Sequence, residues 1–344
     1  MRHRLEWIEA MRGLAALWVV FYHASRNVDI FIHPADGLLW TFFAHGLMGV
    51  DFFFVLSGFI IAYACERIVE KGGGWRDYVQ ARLVRIYVPY LPIGLVMVLV
   101  LELLPGVSAA NRDWSMLSSL TLLPSMGQPA LGVAYTLVHE MIFYSVFSIF
   151  FISPRLLTYV LLLWAGAIDA YMQLGHYSVL GDYLVGPFNL CFLLGVVTFR
   201  LSKSMSPAAV NYLFVIGGIS IVLFEVSQWP PNQLFAGAGF ALIILASASL
   251  IARRHPPGAF LVKMGAASYS IYLVHTIVLS IVIRFVRNWN IHPLLIFVVL
   301  SACGLAAGLL YHYLYEKKAL TIVRNMLSSS TRISANKVLA DEQK

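Results

Sequence analysis

The sequence predicts an all-α integral membrane protein, a bundle of about ten transmembrane helices. Three observations carry that expectation. Of the 344 residues, 60% are apolar and only 12% are charged, about half the charged fraction of an ordinary soluble domain. The mean hydropathy is +0.78. Apolar runs near twenty residues recur along the chain, bounded by charge or by Pro and Gly, and that is the length a helix needs to cross a bilayer. So little charge cannot cover a globular surface, which excludes a soluble fold. Disorder, a collagen-like repeat and a secreted disulfide scaffold are excluded by the same figures.

In chain order the runs fall at 13–32, 45–64, 86–104, 132–152, 156–174, 183–199, 208–225, 234–252, 268–286 and 294–315. Spanning β-strands would be about half as long and alternating. Two connections are longer than the rest: 65–85, rich in charge and holding Gly72–Gly74, and 105–131, rich in Pro, Ser and Asn. The basic start and first run mimic a signal peptide, but no small-residue cleavage site follows, so a retained anchor is expected. Residues 320–344 read as a polar cytoplasmic tail appended to a membrane domain at 1–319. Cys65, Cys191 and Cys303 each lie inside an apolar run, and neither a disulfide framework nor a metal site is expected.

Lys and Arg positions test the count. With the N-terminus in the cytoplasm, 20 of the 24 basic residues fall on the inner side, leaving Arg26, Arg112, Arg284 and Arg287 outside. Missing or adding one span would scramble that asymmetry, so ten helices and two cytoplasmic termini support each other. The net charge of +7 is therefore an orienting signal, and no nucleic-acid partner is expected. The partner in plain view is membrane lipid.

Ionisable groups inside lipid are costly, and they mark where function is to be sought. Arg12 and His23 are eleven residues apart on the first span, which places both on one helix face about 16 Å apart along the axis. Alone, Arg12 reads as an interfacial anchor and His23 as a histidine bonded to a carbonyl; as a pair they read as a polar strip. Asp51, about 9 Å below the outer edge of the second span, reads either as a helix cap or as a buried functional acid. It shares its face with Gly58, which permits close helix approach. On the fourth span Glu140 lies about 12 Å down, beside His139 and one turn from Tyr144. His23, Asp51 and Glu140 thus come to one depth from three spans. At the inner mouth of the third span Arg82 and Arg85, three residues apart, read either as positive-inside anchors or as a clamp for phosphate oxygens. Ser268, Tyr272 and His275 share a face of the ninth span, with a packed core histidine as the plainer reading of His275.

These segments together resemble the membrane-bound acyltransferase-3 family. The resemblance rests on Arg12-x10-His23 and the Gly-Val-Asp-Phe-Phe-Phe-Val-Leu-Ser-Gly-Phe segment at 49–59. It also rests on Arg82-x-x-Arg85-x-x-x-Pro89-Tyr90, Tyr-Thr-Leu-Val-His-Glu-Met-Ile-Phe-Tyr at 135–144, and Ser-Tyr-Ser-Ile-Tyr-Leu-Val-His at 268–275. It covers residues 5–316. It implies a ten-helix O-acyltransferase of the bacterial inner membrane that takes acyl-CoA, usually acetyl-CoA, as co-substrate. The implied acceptor is a hydroxyl of a surface glycan, glycoside or lipid-linked saccharide. His139-Glu140 is similar to the branch acting on exopolysaccharides, whereas Tyr135-Thr136 departs from the commoner Trp-Ser. Many relatives append a soluble esterase-like domain. The short tail leads to the expectation that no such domain receives the acyl group in cis.

The positions suggest a mechanism in which Arg82, Arg85 and Arg12 hold the CoA phosphates and the pantetheine arm climbs the strip to His23. His23 acts there as general base, oriented by Glu140 or Asp51 as in a triad. No Cys or Ser is obviously placed as a nucleophile, so direct transfer is expected. The rival reading is a proton-coupled secondary transporter or glycan-export protein, with His, Asp and Glu as a proton relay.

Overall fold

The computed structural model describes residues 2–32, 37–103, 113–175, 178–204, 210–226, 232–248, 257–288 and 291–327. Arg112, Arg253, Arg254 and the tail beyond residue 327 lie outside the described residues. The described residues form helices in chain order: α1 (Arg2–Phe31), α2 (Leu38–Ala44), α3 (Met48–Glu70), α4 (Trp75–Leu103), α5 (Met116–Thr121), α6 (Ala134–Phe147) and α7 (Pro154–Leu174). Then come α8 (Val179–Val185), α9 (Phe188–Leu201), α10 (Val210–Val226), α11 (Asn232–Ala248), α12 (Ala259–Ala266), α13 (Ser268–Val286) and α14 (Pro293–Tyr311). The only β pairing among the described residues is an isolated bridge between Trp114 and Gln128.

Every expected span meets a helix. Seven stretches are long and apolar enough to cross a membrane: α3, α4, α6 with its 3-10 extension, α7, the α8–α9 run, α13 and α14. Regions of α10 and α11 form shorter apolar helices. The 30-residue α1 is not among the seven, being diluted by Glu9, Arg12, His23, Arg26 and Asp29. It packs against α3, α11, α12, α13 and α14, with Arg12 and His23 turned toward other helices and Arg26 and Asp29 paired with each other near the surface.

Two boundaries differ from expectation. The charged segment 65–85 is not a long loop: α3 continues to Glu70 and α4 begins at Trp75, leaving four residues between them. Arg67 and Glu70 pair at 2.8 Å across one turn of α3, and the Asp77 carboxylate accepts the Gly74 N–H at 2.8 Å before α4. Charge here solvates helix ends instead of breaking the helices. At the other end α14 runs through a π-helical turn at His312–Glu316 and on to Leu327, so residues 320–327 are helix rather than tail.

Helix starts follow local chemistry. Ser153 caps α7 ahead of Pro154, and Ser178 caps α8; each hydroxyl accepts a backbone N–H of the first turn. Pro89 and Pro92 lie inside α4, and each withholds an N–H from the carbonyl four residues earlier. Pro92 would leave the Val88 carbonyl open. The Tyr315 hydroxyl fills it at 3.2 Å, while Tyr311 donates to the Pro89 carbonyl at 2.7 Å. The prolines thereby tie α4 to the end of α14. Between α3 and α9 the backbones touch: a Cβ on Gly58 would overlap the Phe192 carbonyl, and one on Gly195 the Val55 carbonyl. Small residues at both crossing points let the two helices close on a core in which Phe143 and Phe192 stack at 4.2 Å.

Candidate functional site

The helices enclose a cavity holding about 880 Å³ of empty space, including its open mouth. Three ladders line it in parallel: Ile60, Ser57, Phe53 and Val50 on α3; Tyr144, Glu140 and Thr136 on α6; Ser268 and Tyr272 on α13. Ten residues of α3 correspond to a run of about 15 Å along the bundle. Arg82 and Arg85 of α4 and Arg12 of α1 also face this space. Three guanidinium groups from two helices therefore share one cavity with a single lining carboxylate, Glu140.

Each charged group is held differently. Arg82 lies over the Tyr144 ring at 5.7 Å, and its Nε is buried without a hydrogen-bond partner. Arg85 lies over the Tyr269 ring at 5.2 Å and donates from Nη1 to Glu316 at 2.8 Å. Planar guanidinium groups stack on aromatic faces and keep edge donors for anions. Glu140 accepts hydrogen bonds from Ser57 Oγ at 3.0 Å and from the Tyr144 hydroxyl. Tyr144 is in turn fixed through its own carbonyl, which accepts the Tyr78 hydroxyl at 2.9 Å. Ser268 adds a buried hydroxyl without a partner to the cavity wall.

Glu316 is the residue that the sequence did not reveal. Its side chain is 1% exposed, and its carboxylate meets Arg85 at 2.8 Å, His312 Nδ1 at 2.7 Å and Ser270 Oγ at 2.6 Å. The signal was His312-x-x-x-Glu316 at the edge of the last span. The neighbouring Lys317 and Lys318 made it read as ordinary surface charge.

The polar residues expected at one depth do not all meet. Asp51 is 5% exposed and turns away from the cavity toward Cys191 Sγ, 3.9 Å distant on α9. The reason is its shared face with Gly58, which is the face buried against α9. His139 also points away from Glu140's cavity. It sits among Phe54, Tyr135, Tyr183 and Phe188, with Nδ1 3.4 Å from the Asn189 side-chain oxygen. His23 does not line the cavity either. Its half-buried ring lies 5.0 Å, centroid to centroid, from the ring of His275, which is fully buried. Glu140 and Asp51, the partners expected to orient His23, are engaged elsewhere: Glu140 with Ser57 and Tyr144, Asp51 with Cys191.

Tyr272 joins the two regions. It closes the far end of the cavity, its ring lies 5.9 Å from that of His275, and its hydroxyl is 2.9 Å from Thr136 Oγ1. One further turn of α13 leads from Tyr272 to His275. The strip therefore runs from the arginines past Glu140 to Tyr272, with the paired imidazoles immediately beyond.

Comparison with known proteins shows the family. A family model described as an acyltransferase domain, acyltransferase-3, matches residues 5–313. The exopolysaccharide production protein ExoZ of Rhizobium meliloti is 30% identical over 70% of this chain and 79% of its own length. Proteins of Staphylococcus aureus strains COL and MW2, provisionally named O-acetyltransferases, are each 23% identical over 89% of this chain. The chain spans about half the length of those staphylococcal relatives, 56%. No solved structure matches it.

Proposed function

We propose, from the premise that the chain belongs to the acyltransferase-3 family, that it is a multi-pass membrane O-acyltransferase. In this reading it moves an acyl group, acetyl in the simplest case, from acyl-CoA to a hydroxyl of a surface polysaccharide or related glycoside. The observation that carries the reading is the cavity itself: three arginines in its lining, ladders of residues running about 15 Å along the bundle, and a pair of imidazoles next to Tyr272. In the bacterial inner membrane, the location the family resemblance implies, the basic-residue asymmetry supports cytoplasmic termini and an arginine end open to cytoplasmic acyl-CoA.

Arg82 and Arg85, with Arg12, take the phosphates through charge-assisted hydrogen bonds. Glu140, steadied by Ser57 and Tyr144, accepts from amide N–H groups of the pantetheine arm. The thioester then reaches Tyr272, which must leave Thr136 to join the cavity to His23. His23 takes the proton of the acceptor hydroxyl as its oxygen attacks the thioester carbonyl carbon. The tetrahedral intermediate collapses, the C–S bond breaks, and the sulfur leaves with the proton returned from the imidazolium. Ester and CoA thiol are the two products. The acceptor hydroxyl reaches the far side of Tyr272, so donor and acceptor approach from opposite ends of the strip.

The test is CoA release and ester formation by purified protein given acetyl-CoA and methyl glycosides of gluco, galacto and manno configuration. Ester formation that is lost in His23→Ala, with the protein still folded, is the expected result. Glycan flux across proteoliposomes with neither CoA release nor ester formation would replace the reading with a transporter.

A further inference from the structure

We propose that His275 is the positioning residue that fixes the tautomer and orientation of His23, a role resting on the reading of His23 as general base. The argument starts from an atom that has only one choice. His275 Nδ1 lies 3.0 Å from the Ile271 carbonyl oxygen, and a carbonyl oxygen only accepts. Nδ1 therefore carries the proton, and Nε2 presents a lone pair. That Nε2 is buried and has no hydrogen-bond partner within the protein, a costly state for a polar atom in this setting.

Neighbouring groups narrow what the lone pair serves. On its own helix, Tyr272 has its hydroxyl engaged with Thr136 Oγ1 at 2.9 Å and near the Val133 carbonyl at 3.4 Å. From α14 the approach is made by Gly304, where an added Cβ would lie 3.6 Å from His275 Cβ and in contact with Leu279 and Val20. From α1 the approach is His23, with ring centroids 5.0 Å apart and planes inclined at 54°. No N–H···N bond spans the two rings as they stand; at this centroid separation a turn of the His23 ring brings one of its nitrogens within hydrogen-bond reach of Nε2. His23 is the titratable group these packed elements bring against the imidazole.

A hydrogen bond from His23 to His275 Nε2 settles which His23 nitrogen is protonated. The bonded nitrogen carries hydrogen; the other keeps its lone pair and meets the acceptor hydroxyl. This is the orienting work that a carboxylate does in a hydrolase triad. A neutral imidazole does it without a permanent buried anion, which suits a site inside a membrane. When His23 takes the acceptor proton, the positive charge is steadied by the His275 lone pair until the departing sulfur removes the proton.

Purified His275→Ala, His275→Gln and His23→Ala are compared for kcat, KM for acetyl-CoA, the pH profile of kcat/KM and thermal melting, using acetyl-CoA and the methyl glycoside giving most ester with the unaltered protein. His275→Ala is expected to lower kcat roughly 10²-fold or more, with KM for acetyl-CoA unchanged and the pH profile displaced. His275→Gln retains an acceptor oxygen and side-chain bulk; it should melt like the parent and recover part of kcat. If either folded His275 variant keeps the parental kcat and pH profile while His23→Ala is inactive, the positioning role is wrong and the function stands. If His23→Ala is as active as the parent, the assignment of the base itself is wrong.

Discussion

At the scale of residues, the two clamp arginines are not equivalent. Arg82 stacks on Tyr144 with its Nε unengaged, whereas Arg85 spends Nη1 on Glu316. Arg82→Ala is expected to weaken CoA binding, read by titration calorimetry, while thermal melting stays near that of the parent. Arg85→Ala should weaken binding and also lower the melting temperature, because it leaves the Glu316 carboxylate buried beside only His312 and Ser270. Removing one member of a buried pair costs about 3–5 kcal/mol; with Arg85 29% exposed, the loss for Glu316→Leu should fall at or below the bottom of that range. Equal melting of the parent and Glu316→Leu would contradict the anchoring role. Glu140 was legible as a charge that lipid does not tolerate, and Arg12, Arg82 and Arg85 as basic residues at the inner interface; the four do share a cavity. Glu316 was not, because its sequence neighbours are lysines and burial depends on where α14 meets α4. The direction of Asp51 follows from its heptad partner Gly58, a relation visible in the sequence but without a partner helix until the fold supplied α9.

At the scale of elements, the prolines of α4 and the tyrosines of α14 form one device. Pro92 opens the Val88 carbonyl, and Tyr315 closes it from the neighbouring helix. Tyr315→Phe should therefore cost about 1 kcal/mol, the net worth of one hydrogen bond, measurable as a lower melting temperature in detergent. The α3–α9 crossing is stricter. Gly195→Ala places a methyl on the Val55 carbonyl and should cost about 1–3 kcal/mol or more through overpacking; an unchanged melting temperature would show that the helices separate freely. Helix positions were readable from apolar length alone, and all ten expected spans meet helices. The ends were not readable that way. Much of the charged stretch 65–85, all but residues 71–74, and the start of the tail stay helical although they break hydropathy, and i,i+3 pairs such as Arg67–Glu70 support the helix outside the apolar zone.

At the scale of the molecule, the chain brings groups from five helices onto a single strip. Arg85, Glu316 and Ser270 mark one end of the bundle, and the histidine pair lies about one turn beyond the far end of the cavity. In the proposed orientation, drawn from the basic-residue asymmetry, the arginine end faces the cytoplasm. A cysteine introduced at Lys71, between α3 and α4, should then react with a membrane-impermeant maleimide only in inside-out vesicles. The most direct test of the whole account follows labelled acetyl groups. Parent protein in sealed proteoliposomes receives radiolabelled acetyl-CoA on the arginine side and a glycoside acceptor on the opposite side. Label should appear in the acceptor as an ester, with one CoA released per ester, and His23→Ala should abolish both. Release of CoA with no label in any acceptor, or undiminished ester formation by that variant, would contradict the account.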